Sequence, residues 1–285
     1  MKLVIFGNNY QDANIAAIVQ LVEQLRQRGV QVWLERDFGQ YLQGRCDRSL
    51  DTGTVCCGQP VQADVALSLG GDGTFLTTVM WVAEQGIPIM GINLGHLGYL
   101  AAYSLDEAPQ AIDDLLAGNY ATERRAMLRA QCDGVAIEHP LALNDVAILR
   151  QDTSSMIEME TTLQGRPLTT YKGDGLVVCT PTGSTAYNLS AGGPILEPTT
   201  RCMVLSPLSA HSLTMRPLVV PDEAVITIVT HTRADTYRLS LDGEGIICPA
   251  GSRVTIERAP VEVQVIQRMG HNFAQTLRHK LHWGS

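Results

Sequence analysis

A carboxylate stands inside a glycine-rich turn at residues 70–74, Gly-Gly-Asp-Gly-Thr, between an apolar run at 65–69 and a helical pattern at 75–85. Glycines at a strand-to-helix turn let backbone N–H groups approach a polyanion, and the helix dipole adds positive potential there. Because a carboxylate repels phosphate, Asp72 makes chemical sense if it handles a metal ion or accepts a proton from a hydroxyl that attacks phosphorus. The alternative is an Asp-Gly pair that only makes a tight turn.

Three further segments combine glycines with polar side chains that could hold a ligand. Residues 91–99 end a strand and include His96, residues 144–145 place Asn-Asp in an apolar strand, and residues 173–194 are rich in glycine and hydroxyl groups. Each has a structural alternative, namely a loop histidine, a strand bulge or end, and a hairpin turn around Gly-Asp-Gly. Long ordered loops in compact domains are usually functional, which favours a binding role for 180–194.

The elements that must position these residues begin with alternating strands and helices. Apolar strand patterns are expected at 3–6, 30–34, 65–69 and 87–92, with helical patterns between them and an irregular stretch at 37–60. Such alternation predicts a parallel sheet with ligands at the carboxyl ends of its strands. We therefore expect the loops after the first, third and fourth of these strands to share one edge.

From residue 123 short strand patterns follow one another, with hairpin turns at Gln164-Gly165 and Asp242-Gly243. The strands are expected at 125–131, 141–149, 155–163, 168–171, 176–179, 225–229, 237–241, 253–257 and 261–267. These patterns predict an all-β domain, which an amphipathic C-terminal segment follows. The predicted fold is a Rossmann-like α/β domain at 1–122, a β-sandwich-like domain at 123–268, and a C-terminal helix at 269–285 that returns to the first domain.

Composition limits the classes of function. The 285 residues carry a formal net charge of -8 and are 45% hydrophobic, so the chain lacks the concentrated basic surface that a nucleic-acid partner requires. The seven cysteines include the adjacent pair Cys56-Cys57 but no Cys-x-x-Cys spacing, which indicates reduced thiols rather than a zinc site. Because no apolar run suits a signal peptide or a membrane span, we expect a cytoplasmic protein without a membrane partner.

Together these segments resemble the bacterial-type NAD kinases of the ATP-NAD kinase family. The turn at 70–74 matches the family's Gly-Gly-Asp-Gly-Thr motif, residues 144–145 match its Asn-Glu/Asp pair, and residues 173–194 resemble its glycine-rich signature. Segments 209–222 and 241–243 also match, so the resemblance covers nearly the whole chain. Diacylglycerol kinases and 6-phosphofructokinases share the pentapeptide alone, and the combination with the long loop is far more specific.

The resemblance implies that the chain phosphorylates the adenosine 2′-hydroxyl of NAD to give NADP, with ATP as the donor. NAD would lie between the two domains with that hydroxyl against Asp72, the implied general base. Backbone N–H groups of Gly70, Gly71 and Gly73 would meet the donor phosphates, and Gly73 would also border NAD. Mg²⁺ or another divalent metal ion would neutralise the triphosphate, with no ligand residues assigned. A homodimer or homotetramer is implied as well.

The resemblance also carries contacts with the adenine of NAD onto this sequence. Asn144, Thr182 and Thr185 match the positions that hold the adenine through an amide and hydroxyl groups. Tyr99 and Tyr187 match aromatic positions that flank the ring, where stacking is worth roughly 1–3 kcal/mol per base in nucleic-acid complexes.

Contacts with the nicotinamide half of NAD follow in the same way. Asp145 matches the acid that binds hydroxyls of the nicotinamide ribose, and it is shorter than the Glu of many relatives. Asp174, Ala186 and Ser190 match positions around the nicotinamide carboxamide. Lys172 occupies a commonly basic position, and the resemblance gives it no definite contact.

Other function classes fit the sequence less well. A lipid or sugar kinase could share the turn at 70–74, but the polar loop at 180–194 does not suit an acyl chain. A non-catalytic dinucleotide sensor would need no proton acceptor such as Asp72. An NAD-dependent dehydrogenase is disfavoured because residues 7–10, Gly-Asn-Asn-Tyr, are no Gly-x-Gly-x-x-Gly loop.

Overall fold

The computed structural model describes residues 1–46, 49–56, 58–95, 98–151 and 156–284. Cys57, His96 and the expected strand start at Ser155 lie outside the described residues. Within the described ranges, no helix combines the length and the apolar character needed to cross a bilayer.

The chain folds into two compact units. Unit 1 comprises Met1–Arg124 and Val263–Ser285, and unit 2 comprises Arg125–Glu262. Unit 2 is therefore a continuous stretch of sequence inserted into unit 1.

Unit 1 is an α/β unit built on a parallel sheet. Its strands β1 to β6 are Lys2–Gly7, Gln31–Glu35, Gly53–Val55, Val65–Leu69, Ile89–Asn93 and Tyr103–Ser104. Its helices α1 to α4 are Ile15–Gln27, Arg36–Gln43, Asp72–Val82 and Ala108–Ala117. The strands lie in the order β5, β4, β1, β2, β3 with every pair parallel, and β6 pairs with β5. The predicted Rossmann-like sheet is confirmed.

The expectation of an irregular stretch at 37–60 was wrong, because α2 and β3 lie within it. The Glu35 carboxylate accepts the N–H groups of Asp37 and Phe38 at 3.1 and 3.0 Å and so caps α2. The helix then buries Phe38, Tyr41 and Leu42 in the core of unit 1. Only two turns long, α2 is stabilised by this packing more than by its own helix propensity.

Unit 2 is an all-β unit with two sheets. Strands β7 to β12 are Tyr120–Cys132, Leu141–Ala142, Asp145–Arg150, Ile157–Leu163, Arg166–Gly173 and Gly175–Cys179. Strands β13 to β18 are Cys202–Leu208, Leu218–Pro221, Ile226–His231, Thr236–Leu241, Glu244–Pro249 and Arg253–Arg268. Residues 120–124 of β7 and 263–268 of β18 belong to unit 1. One sheet has the antiparallel order β14, β13, β12, β9, β16, β17, and the other contains β11, β10, β15 and β18 with β7 and β8 beside it.

Apolar side chains from both sheets of unit 2 form one core. Val146 and Leu176 come from the first sheet, and Met159 and Ile228 come from the second. The short helix α5, Tyr187–Ser190, lies in the loop that follows β12. The predicted all-β half is confirmed, although β13, β14 and β17 were not expected and the two strands expected at 253–267 are one strand, β18.

The chain closes with helix α6, Phe273–Leu281, which belongs to unit 1. Asn272 caps it by accepting the N–H of Ala274 at 2.9 Å. Near its end, the Lys280 ammonium donates to the carbonyl oxygens of Tyr99 and Ala101 at 3.1 and 2.6 Å. The predicted return of the C-terminal helix to the first domain is confirmed.

Candidate active site

Three loops at the carboxyl ends of parallel strands meet at one edge of unit 1, as the alternating pattern predicts. The Asn8 amide after β1 donates to the Thr74 hydroxyl after β4 at 3.0 Å. Asn14 donates to the carbonyl oxygen of Leu94, after β5, at 2.8 Å. These side chains tie the loops together around the start of α3.

Asp72 is the first residue of α3, and its carboxylate is fixed by the loop after β5. One oxygen accepts the N–H of Tyr99 at 2.7 Å and the other accepts the N–H of Leu100 at 2.9 Å. Gly98 makes this approach possible, since a Cβ there would lie 2.8 Å from Asp72 Cγ. A carboxylate offers about four lone-pair sites, so two bonds hold Asp72 and leave capacity for a ligand.

The three glycines of the turn at 70–74 differ in what a side chain at each position would contact. A Cβ on Gly70 would lie 2.8 Å from Thr74 Cβ, so the protein itself requires glycine there. A Cβ on Gly71 or Gly73 would meet nothing within 4 Å. No side chain caps this helix start, and first-turn N–H groups have no intrahelical acceptor. The arrangement offers an open, electropositive helix end to an anion.

In unit 2, residues 143 and 144 leave the extended conformation and separate β8 from β9. The expectation of one continuous strand at 141–149 was therefore wrong. The Asp242 carboxylate accepts three successive N–H groups, from Leu143 and Asn144 at 2.7 Å and from Asp145 at 3.0 Å. On the opposite side, the N–H of Thr180 donates to the Asn144 carbonyl oxygen at 2.9 Å. We call residues 143–145 with these bonds the 143–145 turn.

Asp145 and Asp242 form a buried acidic pair. Burial, and then the charge of Asp242, raise the pKa of Asp145 to about 7, while the N–H of Tyr187 lowers it. Burial also raises the pKa of Asp242 to about 6, against the lowering effect of the three N–H bonds. Near neutral pH the Asp145 carboxyl can therefore donate or accept a hydrogen bond.

The loop after β12 is held from within by a buried amide. Asn188 donates to the carbonyl oxygens of Ser184 and Pro194, both at 3.0 Å, and accepts the Ser206 hydroxyl at 2.7 Å. Gly193 packs against it, since a Cβ there would lie 2.6 Å from the Asn188 amide nitrogen. The loop is thus a fixed scaffold for its remaining polar groups.

Two polar groups beside this scaffold have no hydrogen-bond partner in the part of the chain that the structure describes. The Thr182 hydroxyl is buried and forms no hydrogen bond with any described residue. In the same part of the chain, the Asn144 side-chain amide has none either. Thr185 donates to the Thr182 carbonyl oxygen at 3.4 Å. Burying an unpaired hydroxyl costs about 1–3 kcal/mol. Thr182 is also one of the positions that the resemblance assigns to the adenine of NAD.

A cleft of about 410 Å³ opens beside the same loop. Its lining includes the predicted residues Asp174, Tyr187 and Ser190 together with Arg150. The Arg150 guanidinium contacts the Asp174 carboxylate at 3.0 Å. Because Gly173 ends β11 and Gly175 begins β12 of the other sheet, the alternative of a hairpin turn at this point was wrong.

Two family models match the chain: the ATP-NAD kinase N-terminal domain at residues 3–120 and the ATP-NAD kinase C-terminal domain at residues 143–268. An NAD kinase of Bacteroides fragilis is 39% identical over 286 residues, covering 100% of this chain and 99% of that protein. An NAD kinase of Porphyromonas gingivalis is 40% identical over 288 residues, covering 100% and 98%. The chain belongs to the ATP-NAD kinase family. Membership confirms the predicted family and the predicted activity, ATP-dependent phosphorylation of NAD.

Two solved structures share the fold of this chain. Yeast NADH kinase complexed with NADH aligns with a TM-score of 0.90 at 23% identity, covering 100% of this chain and 88% of that one. An NAD kinase from Archaeoglobus fulgidus in complex with ATP aligns with a TM-score of 0.74 at 24% identity, covering 98% and 99%. Both support the predicted fold of an α/β part and an all-β part.

The remaining residues that the NAD kinase resemblance named lie in varied surroundings. Lys172 forms an exposed ion pair with Glu158 at 2.9 Å across the β10–β11 ladder, and it does not line the cleft. Ala186 precedes α5, and its N–H donates to the Gly183 carbonyl oxygen at 2.9 Å. The ring of Tyr99 has the Lys280 ammonium 5.9 Å from its centroid.

Three residues that the sequence patterns did not single out support the predicted site residues. Gly98, Asp242 and Arg150 contact Asp72, the 143–145 turn and Asp174, respectively. The Asp242-Gly243 pair was predicted as a hairpin turn and as part of a segment that matches the family, with no role for Asp242. The positive φ of both residues bears out the turn. The contacts of Asp242 with the 143–145 turn join residues far apart along the chain, so no local sequence pattern predicts them.

Proposed function

We propose that Asp72 accepts the proton of the adenosine 2′-hydroxyl of NAD as that oxygen attacks the γ-phosphorus of ATP. The supporting observation is the carboxylate held by the N–H groups of Tyr99 and Leu100 at the start of α3. A fixed carboxylate can orient a hydroxyl in line with phosphorus. Phosphoryl transfer passes through a loose transition state, so orientation contributes more than strong basicity.

The donor phosphates bind at the same helix end in this proposal. The first-turn N–H groups and the open space beside Gly71 and Gly73 suit a close approach of phosphate oxygens. The positive end of the helix dipole offsets part of the triphosphate charge. The similar NAD kinase from Archaeoglobus fulgidus was solved in complex with ATP, which agrees with a nucleoside triphosphate as donor.

A divalent cation such as Mg²⁺ would neutralise charge on the triphosphate and on the transferred phosphoryl group. Among the described residues, no group of three or more His, Cys, Asp or Glu side chains could hold a metal ion. Mg²⁺ commonly binds through substrate phosphates, water and only one or two carboxylates. Asp72 is the carboxylate at the proposed phosphate site.

NAD contacts in unit 2 complete the proposal. The unpartnered Thr182 hydroxyl and Asn144 amide supply the donors and acceptors that adenine edges require. Asp145, with its raised pKa, would exchange hydrogen bonds with the hydroxyls of the nicotinamide ribose. The cleft lined by Asp174 and Ser190 would hold the nicotinamide end. The solved yeast relative is a complex with NADH, a ligand of the same shape.

Contacts with Tyr99, Lys172, Thr185, Ala186 and Tyr187, assigned by resemblance, stay predictions. A homo-oligomer and a cytoplasmic location are predictions of the same kind. Light scattering on the purified protein would test the first, since a monomeric mass would contradict it.

An Asp72→Asn variant tests the catalytic role. Asparagine cannot take a proton at neutral pH, and its single oxygen can accept only one of the N–H groups of Tyr99 and Leu100, so both the proton acceptor and its orientation are impaired. We expect kcat for NADP formation to fall by about 100-fold or more. Asp37→Asn is the matched control, because Asp37 is exposed in the first turn of another helix of unit 1. Thermal melting of both variants would verify folding. Full turnover by a folded Asp72→Asn enzyme would defeat the proposal.

A further inference from the structure

The 143–145 turn is held by bonds that come from two directions. On its N–H side, the Asp242 carboxylate accepts three consecutive backbone N–H groups. Such a row of N–H groups around a carboxylate is a concave anion site formed by the backbone itself. Asp242 in turn donates its own N–H to the Asp145 carbonyl oxygen at 3.0 Å, so the two segments are joined in both directions.

On its carbonyl side, the turn is held by Thr180. The Thr180 hydroxyl donates to the Leu143 carbonyl oxygen at 2.6 Å and accepts the Gly183 N–H at 3.1 Å. Gly183 is essential to this contact, because a Cβ there would lie 2.7 Å from Asn144 Cα. The turn is therefore fixed on both sides by groups that are themselves buried or bonded.

We infer that Asp242 and Thr180 are positioning residues for the NAD kinase reaction, which hold the 143–145 turn so that its side-chain amide and carboxylate meet NAD. This inference rests on the proposed NAD contacts of the turn. Neither residue needs to touch NAD, since each acts on the backbone that carries Asn144 and Asp145. The gap between β8 and β9 at this point is the structural result, because a continuous strand would direct the two side chains to opposite faces.

Substitution of Asp242 by asparagine removes the charge and one acceptor while keeping the turn. Asp242 has a φ of 48°, and asparagine also tolerates this left-handed region. The amide retains one acceptor oxygen, so at least one of the three N–H groups loses its partner. We expect the KM for NAD to rise by about 10-fold, with kcat and the KM for ATP within about threefold of wild type, because binding in ground and transition states is lost equally.

Thr180→Val supplies a second, isosteric test that leaves the charge in place. It removes the two hydroxyl bonds and should raise the KM for NAD by about 3–10-fold, again without a matching change for ATP. If Asp242→Asn does not fold, this variant decides the question. Melting temperatures of both variants report on folding.

The pH profile separates positioning from general loosening. The titratable groups that face Asp145 are Asp242 from the β16–β17 turn, Cys179 on β12 and Tyr187 of α5, and Glu244 faces Asp242. Removal of the Asp242 charge lowers the pKa of Asp145, so the acid limb of kcat/KM for NAD should move to lower pH in Asp242→Asn. Thr180→Val should leave that limb in place.

Asn144→Ala distinguishes failure of this inference from failure of the proposed NAD site. An unchanged KM for NAD in Asn144→Ala would reject the proposed contacts of the turn. A raised KM in Asn144→Ala, with an unchanged KM in folded Asp242→Asn and Thr180→Val, would reject the positioning role alone. Equal rises in the KM for NAD and for ATP would also overturn it.

Discussion

Gly98→Ala tests the placement of Asp72 without altering its chemistry. A Cβ at residue 98 would lie 2.8 Å from Asp72 Cγ and 3.2 Å from one carboxylate oxygen, with the other oxygen nearer still. Non-bonded carbon atoms rest about 3.5–4.0 Å apart, so the carboxylate must retreat by roughly 1 Å. A misplacement of about 1 Å can cost roughly 100-fold in rate, and we expect kcat to fall by about that factor.

Gly95→Ala is the matched control for this substitution. Gly95 lies in the same loop after β5, and a Cβ there would meet nothing within 4 Å. NADP formation would be measured at saturating NAD, ATP and Mg²⁺, alongside the melting temperature of each protein. If Gly98→Ala retained kcat within about threefold of wild type, the reasoning that the position of Asp72 sets the rate would be refuted.

Three further predictions follow from the geometry. Thr182→Val should raise the free energy of unfolding by about 1–2 kcal/mol, because it removes a buried unpaired hydroxyl, and it should also raise the KM for NAD. Denaturant unfolding measures the first effect and steady-state kinetics the second. A lower free energy of unfolding would contradict the prediction. Gly73→Ala should stabilise α3 by about 0.5–1 kcal/mol yet raise the KM for ATP, and an unchanged KM would argue against phosphate binding there. The raised pKa of Asp145 means that the native state binds more protons than the unfolded state between about pH 4 and 7. The contribution of Asp145 to stability is therefore lost as pH rises through that window. In urea titrations, Asp145→Asn should make the free energy of unfolding less dependent on pH over the same range.

Local sequence patterns were sufficient for the parallel sheet and for the placement of Asp72. The apolar run at 65–69 is buried at every residue, as expected for a strand inside a parallel sheet. The glycine turn after it requires no knowledge of distant residues. Positive φ at Gln164 and Asp242 likewise follows from the adjacent glycines and the hairpin rule.

Features that depend on tertiary contacts could not be predicted in this way. Helix α2 is short and contains a glycine, so its stability comes from the buried Phe38 and Leu42 rather than from a visible pattern. The break at the 143–145 turn is held by Asp242, which lies 98 positions from Asn144 along the chain. Arg150 and Asp174 also meet only in the folded unit.

The order of synthesis has a consequence for the parallel sheet. Val265 on β18 pairs in parallel with Ile89 on β5, and Ile266 is buried in the core of unit 1. A ribosome delivers these residues only after all of Arg125–Glu262 has emerged, so β5 lacks its β18 neighbour at Ile89 throughout that interval, although β6 can already pair with the other end of β5. The all-β unit is contiguous and can finish folding first, whereas the unit that carries Asp72 must wait for its final strand.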